Sequence, residues 1–556
     1  MAKNKKEGFF TAGRYLRKKY GFLGRFVQKP SEAEGKGLIL LQIDGISYPA
    51  LLEAMGRRYT PTLRRLVHKN GYRLVPWYCP PPSNTPSIQA GIMYGINKGI
   101  PGFRWFDKKS GRHMSFKDPE AAASVEDALS KNRMGLLKGG SSYLNLYTGG
   151  AKRSVFTLST FASENILRKK KLRQLDIFIL FFLRLTNLFR TAAGLIADSV
   201  LEFGEWLYCL MFSRERRREG IFPIIRLINN VIFRELETMG AVTDIMRGVP
   251  SVYLTYNGYD EMAHHRGPRF SGSFRALRGI DRQLRKIARA SRCSSAREYD
   301  LFIFSDHGQT PSIPFVHLYG ERLADLIQRA TPETLEITEF HSPEEVILHE
   351  GSKYMEELGG LLLRLPQLFF KLFDGIRRRL FMEEEGPLPF EWEAEKEQVV
   401  VSDSGPLSHL YFNFRAERIP TAEIETKYPS LLPALTEHPG IGVIIGRDDK
   451  GRAKVIKWDK ALSEDDRSHL LALSREENSG DIILQGTFDG RRIVNFEEQL
   501  SGHGGIGGEQ NHPFFMTPQA SSLDASLIKE PSDLYTFFFD NYTKHAIKKL
   551  DRSKLT

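Results

Sequence analysis

The chain has 556 residues, of which 41% are hydrophobic and 26% charged, with 48 glycines; this excludes a disordered or fibrous protein and leaves room for one large domain carrying insertions. A net charge of +12 points to anionic partners such as phosphorylated substrates, anionic lipid or nucleic acid. Three scattered cysteines, Cys79, Cys209 and Cys293, exclude a disulfide framework and a thiolate metal site and fit a reducing compartment.

Residues 1–36 are basic and studded with aromatics but lack the uninterrupted apolar core of a secretory signal, so the chain is expected to stay in the cytoplasm. The apolar run LILLQIDG predicts a strand ending in Asp44. PPPSNTPSIQAGIMYG follows, carrying Thr85, and then IPGFRWFD, carrying Arg104.

Residues about 155–245 read as a helical insertion dense in Leu and Phe. Asp176, Arg184, Arg190, Asp198, Glu202 and Glu205 interrupt it, so no run reaches the ~18 uncharged residues of a membrane span. It reads either as a helical hairpin over the core or as an in-plane amphipathic surface, its flanking basic clusters at 168–173 and 214–218 meeting the anionic headgroups of a membrane's inner face.

SVYLTYNGYD predicts a second strand, ending at Asp260, with His264 four residues on. DLFIFSDHG predicts a third, ending at Asp306 and His307. A second insertion at about 325–400 contains LGGLLLRLPQLFFKLFDGIRRRLFM, again apolar and basic, with Pro366 placed to kink any helix. Asp403 and His409 in DSGPLSHLYFNF read as polar residues of a strand that either line a pocket or serve structure. GIGVIIGR and DIILQG are strand-like, His503 sits in the glycine-rich SGHGGIGG, and residues 521–556 read as a solvated helical tail.

Hydrolysis of a phosphate ester needs a nucleophile, neutralisation of the equatorial oxygens and stabilisation of the leaving oxygen, and two divalent ions about 4 Å apart serve all three. Carboxylates and imidazoles are the donors that borderline metals take. Asp44, Asp260, His264, Asp306, His307 and His503, with the Thr85 hydroxyl, supply that set. Most stand where a strand gives way to a loop, where open α/β sheets build their sites. Asp260 and His264 are spaced to share one face of a helical turn, with His265 as a rival, whereas adjacent Asp306 and His307 need a sharp turn to aim both inward. Singly, an Asp at a strand end is a cap and a His a packed imidazole; the joint occurrence carries the reading.

With these residues in view, the chain resembles the alkaline phosphatase superfamily, and within it the nucleotide pyrophosphatase/phosphodiesterase branch. Thr85 precedes Gly95 by ten residues, Asp260-x-x-x-His264 is followed by Gly267-Pro268, and SDHG and a late His-Gly match Ser305 to Gly308 and His503-Gly504. The resemblance implies an α/β fold, with a central, mostly parallel sheet flanked by helices over about 37–520 and helical insertions. It implies a metal-dependent phosphodiesterase with Thr85 as the nucleophile. Asp44, Asp306 and His307, with the Thr85 oxygen, would hold one ion and Asp260, His264 and His503 the other, the ions being Zn2+ or Mn2+. Proline follows Thr85 at once, which leaves Ser83, Asn84 and Ser87 as rivals for its position. The branch's phosphate-binding asparagine has no counterpart, and Arg104 is expected to offer a guanidinium fork instead. A phosphomonoesterase, phosphonate hydrolase or phosphomutase would share the metal site, and a membrane-bound head-group transferase or lipid-binding protein would share the amphipathic stretches. No zinc finger, RNP sequence or glycine-rich nucleotide loop supports a nucleic-acid partner.

Overall fold

The structure, a computed structural model, describes residues 35–162, 204, 228–340 and 397–545. The basic N-terminal segment and the amphipathic stretches around 168–218 and 358–382 lie outside the described residues. No helix among the described residues is long and apolar enough to cross a membrane.

Gly37–Ile43 has the sequence GLILLQI and is buried along its whole length, as an apolar strand covered on both faces must be. It pairs in parallel with Ser251–Tyr256 on one side and Tyr299–Phe304 on the other. These three are the centre of a seven-stranded sheet, in the order Tyr72–Pro76, Phe514–Pro518, Tyr299–Phe304, Gly37–Ile43, Ser251–Tyr256, Ser141–Tyr143, Arg153–Val155. Only Phe514–Pro518 runs against its neighbours. The expected mostly parallel α/β sheet is therefore present. The carboxyl ends of three adjacent parallel strands, Gly37–Ile43, Ser251–Tyr256 and Tyr299–Phe304, lie side by side, and it is beyond such ends that sheets of this kind bind ligands.

Alternation along the central strand builds two cores. Ile39, Leu41 and Ile43 pack toward the helices Tyr48–Gly56, Pro61–Lys69, Arg234–Arg247 and Ser271–Cys293. Leu38 and Leu40 pack toward Thr85–Tyr94, Pro119–Asn132 and Pro531–Phe538. Each such aliphatic side chain, fully buried, contributes about 1.5–3 kcal/mol, so layers on both faces hold the strand ends in fixed register.

Residues 521–545 correct the reading of a solvated tail. Leu534, Tyr535 and Phe538 are buried in the second core, and Tyr535 and Thr543 donate hydrogen bonds to the carbonyls of Met134 and Leu136. A second sheet, six-stranded, runs in the order Glu336–Phe340, Gln398–Ser404, Leu407–Phe412, Ile482–Gly486, Ile441–Arg447, Ala453–Lys457. It includes the strand-like GIGVIIGR and DIILQG segments, and its edge pair, Glu336–Phe340 beside Gln398–Ser404, brackets residues 341–396.

His409 in this sheet is structural. Its Nε2 donates to the Pro101 carbonyl at 3.1 Å while its Nδ1 accepts from Gly480 N–H at 3.0 Å, so only the neutral ring satisfies both partners. Burial lowers it from 6.5 to about 4. The unfolded chain takes up this proton near pH 6.5 and the folded chain only near 4, so stability present above pH 6.5 is lost as the pH falls between them. Acidification across that window is expected to remove on the order of 3 kcal/mol through this residue. Chemical denaturation of wild type and His409→Gln at pH 7 and pH 4.5 checks it, the variant showing the smaller difference.

Candidate metal centre

The central strand delivers Asp44, the strand Ser251–Tyr256 leads within four residues to Asp260, and Tyr299–Phe304 delivers Asp306 and His307. The sharp turn after the central strand requires Gly45: its φ is +74°, and a Cβ there would lie 1.9 Å from Asp260 Oδ1. Asp260 and His264 lie on the helix Gly258–Arg266, one turn apart, with His264 Nε2 3.1 Å from Asp260 Oδ2. It is thus His264, rather than its neighbour His265, that faces Asp260.

Thr85 is the first residue of the helix Thr85–Tyr94, whose remaining residues are all buried. Asn84 caps it, accepting from Ser87 N at 3.1 Å, and Gly95 ends it in the left-handed conformation, φ +70°. The rivals are thereby placed: Asn84 and Ser87 serve the cap, while Ser83 Oγ accepts from Gly504 N–H and donates to the Gly505 carbonyl. One turn along the helix, Gln89 Nε2 reaches Gln42, Asn145 and Thr255, each at 3.2 Å, and its Oε1 accepts from Leu146 N–H at 2.8 Å. That buried network fastens the helix to the sheet beneath the site.

The Thr85 hydroxyl lies 3.3 Å from Asp44 Oδ1 and 3.3 Å from His307 Nε2. His307 Nε2 is 3.4 Å from Asp44 and 3.5 Å from Asp306. Two donor groups result, Asp44 with Asp306 and His307, and Asp260 with His307 and His503, the atoms within each lying within 4.8 Å of one another. The first is the set the sequence suggests. In the second, His307 stands where His264 is expected, and its ring stacks on that of His503 with centroids 3.7 Å apart. His264 joins through Asp260 and lies 5.0 Å from His503, ring to ring.

Three observations show that this set fits divalent ions. Both carboxylate oxygens of the fully buried Asp306 lack a hydrogen-bond partner among the described residues, an arrangement that a cation satisfies. Each histidine turns Nδ1 to a backbone carbonyl: His307 to Gly308 at 3.0 Å, His264 to Ser501 at 2.9 Å, His503 to Ser83 at 2.9 Å. Carbonyls only accept, so Nδ1 carries the proton in the neutral ring, and Nε2 of His307 and of His503 presents a lone pair inward while that of His264 pairs with Asp260. Finally, Gln309 donates to both the side chain and the backbone of Asp260 and accepts from Ser501, orienting a carboxylate as an outer partner of a metal ligand does.

Electrostatics agree with this. Burial, and then the charges of Asp306 and Asp260, push the Asp44 carboxyl well above the usual carboxylate range. Burial opposes charge on Asp260 and His264 as well, but the pair overrides it: Asp260 is held low by His264, and His264 is pushed up to about 9 by Asp260. His503 is driven the other way, by burial and then by His307. A cation among them would offset the carboxylate repulsion that raises Asp44.

Arg104 stands apart from the other seven. It is buried and ion-paired with Glu497, and it donates to the Asp403 carbonyl at 2.8 Å, so its fork has protein partners in place of the expected phosphate. Sequence reasoning missed Gln309 and Ser501, and weighed Ser83 only as a rival to Thr85 rather than as the carbonyl partner of His503. Of these, only Gln309 carried a local signal, as a polar residue two beyond His307 at the start of a strand.

No family model and no curated protein matches the chain. Among solved structures, phosphonoacetate hydrolase from Sinorhizobium meliloti is similar over 92% of this chain and 97% of its own, at 15% identity and a TM-score of 0.44. Murine ectonucleotide pyrophosphatase/phosphodiesterase 5 is similar over 91% and 94%, at 11% identity and a TM-score of 0.42, and the human protein over the same shares at 12% identity and 0.42. At this distance the fold of the chain stands on its own strand order and the site on its own side chains.

Proposed function

We propose that the chain is a metal-dependent hydrolase of phosphate esters of the alkaline phosphatase type, a phosphodiesterase working through a phosphothreonine intermediate. The observation that carries this reading is the position of the Thr85 hydroxyl, 3.3 Å from a ligand of each donor group: Asp44 of the first and His307, which both share. A hydroxyl fixed there by a capped, buried helix is a nucleophile held in place before substrate arrives.

Asp44, Asp306 and His307 would hold one ion, and Asp260 and His503 the other, with His264 completing or supporting the second set. Zinc or manganese suits these donors. When bound, such ions neutralise phosphoryl oxygens, favour deprotonation of the nucleophile and stabilise the leaving oxygen. The chain's own residues do the rest. Thr85 Oγ1 attacks phosphorus in line as the bond to the leaving alkoxide breaks, the threonine proton departing on the side of Asp44. Water then cleaves the phosphothreonine and restores the hydroxyl. The buried Asn84 amide nitrogen has no hydrogen-bond partner among the described residues, and as the residue before Thr85 it is a better placed donor to a phosphoryl oxygen than Arg104, which Glu497 holds.

Turnover of bis(p-nitrophenyl) phosphate and of p-nitrophenyl phosphate by metal-reconstituted protein tests the proposal. The expected result is a kcat/KM at least about tenfold higher for the diester, a difference of about 1.4 kcal/mol in transition-state binding. A higher value for the monoester would make the chain a phosphatase, and no turnover of either would remove the esterase reading.

A further inference from the structure

The helix Ser271–Cys293 carries charge that neither the site nor the core uses. Phe274, Leu277, Ile280, Leu284 and Ile287 bury one face. Arg278, Arg282, Arg285 and Arg292 are exposed on the other, with Arg289 among them. At 3.6 residues per turn these positions fall within an arc of about 80° and extend for about 21 Å. None of Arg278, Arg282, Arg285 and Arg292 is in a salt bridge among the described residues. The helix has one acidic residue, Asp281, and its carboxylate is occupied, accepting from Thr62 N–H and Leu63 N–H at 2.9–3.0 Å.

That capping contact sets the helix Pro61–Lys69 alongside, and this helix exposes Arg64, Arg65 and Lys69 and has no acidic residue at all. Just beyond its end, Tyr72 senses both Asp300, which Lys36 and Tyr542 already bond, and Arg292. Two adjacent helices thus present a basic face whose one acidic side chain, Asp281 beside Arg285, is engaged by the backbone N–H groups of Thr62 and Leu63.

We propose that this face docks the protein on an anionic lipid surface. Guanidinium groups spread over such a length match a plane of phosphate headgroups better than a point ligand, and each basic residue near an anionic bilayer strengthens binding about fivefold. The sequence around the face favours lipid over nucleic acid. Residues 163–227, with RKKK followed by DIFILFFLRLTNLF, join the described chain at residue 228. They lead into the helix Arg234–Arg247, which packs against the arginine helix through Glu235, bonded to Gln283 at 2.7 Å and to Lys286 at 2.9 Å. The large hydrophobics exposed among the described residues are Leu52, Met134, Leu318 and Leu527, none aromatic, so the structure offers no platform on which bases would stack.

The full chain is tested by flotation with vesicles of phosphatidylcholine alone and of phosphatidylcholine with 30% phosphatidylglycerol. Wild type is expected to float with the anionic vesicles only and to be released by 0.5 M NaCl. R278Q/R282Q/R285Q/R292Q is expected to bind at least about 100-fold more weakly. A charge-matched control, K98Q/K138Q/K460Q/R491Q, is expected to bind as wild type does. Turnover of a soluble diester by the quadruple variant should be unchanged, which separates docking from catalysis and from folding. The proposal is overturned if wild type ignores anionic vesicles, if the two quadruple variants bind alike, or if a DNA duplex competes the protein off the vesicles at equal phosphate concentration.

Discussion

Thr85→Ala is expected to lower turnover of a phosphodiester at least about 10³-fold while leaving bound metal unchanged, because it removes the attacking oxygen and no carboxylate or imidazole. The substitution is structurally mild. Thr85 is the first residue of its helix, the cap belongs to Asn84, and the fastening to the sheet belongs to Gln89 one turn on. Alanine is also the better helix former. Steady-state kinetics together with metal content by elemental analysis checks both halves. A loss of activity accompanied by a loss of metal would recast Thr85 as a ligand alone, and retained activity would pass the nucleophile to another group.

Asp306→Asn is expected to have effects of opposite sign in the two states of the protein. In the metal-free chain it removes one of three mutually repelling buried carboxylates, and the very charge that, after burial, does most to raise Asp44. The variant should therefore unfold at higher denaturant concentration than metal-free wild type. With metal the order reverses. Wild type gains about 2.7 kcal/mol at an ion concentration 100 times the dissociation constant, whereas the variant, lacking one carboxylate of the first donor group, gains little. Turnover should fall with the metal. Urea unfolding with EDTA and with added Zn2+ checks both signs, and a variant that is destabilised in EDTA would show that the Asp306 charge is neutralised by the protein itself.

The strands that matter were legible because each is an apolar run that leads to an acid: LILLQI to Asp44 and DLFIF to Asp306, whereas SVYLTY, expected to end at Asp260, stops at Tyr256 and hands Asp260 to the helix Gly258–Arg266. Thr85 was legible from its distance to Gly95, which the structure explains, since Gly95 closes the helix that Thr85 begins. The sharing of His307 between donor groups was not, because it depends on a ring stacking with His503, almost two hundred residues later in the chain. Arg104 was read as a phosphate fork because its partner, Glu497, lies 393 residues away in sequence. The packing of Leu534, Tyr535 and Phe538 was hidden for a related reason: the surface that the apolar half of this eight-residue helix covers is built from segments remote in sequence. The arginine spacing on Ser271–Cys293 can be read from the letters, but that the opposite face is buried and the only acid already bonded is a property of the fold.

The most direct test is mass spectrometry of the metal-loaded protein, acid-quenched during turnover of a phosphodiester and then digested. A phosphoryl adduct on the peptide containing Thr85, rising and decaying at the rate of turnover, is the result predicted by a threonine held against both donor groups. Turnover at full rate with that peptide unmodified throughout would contradict it.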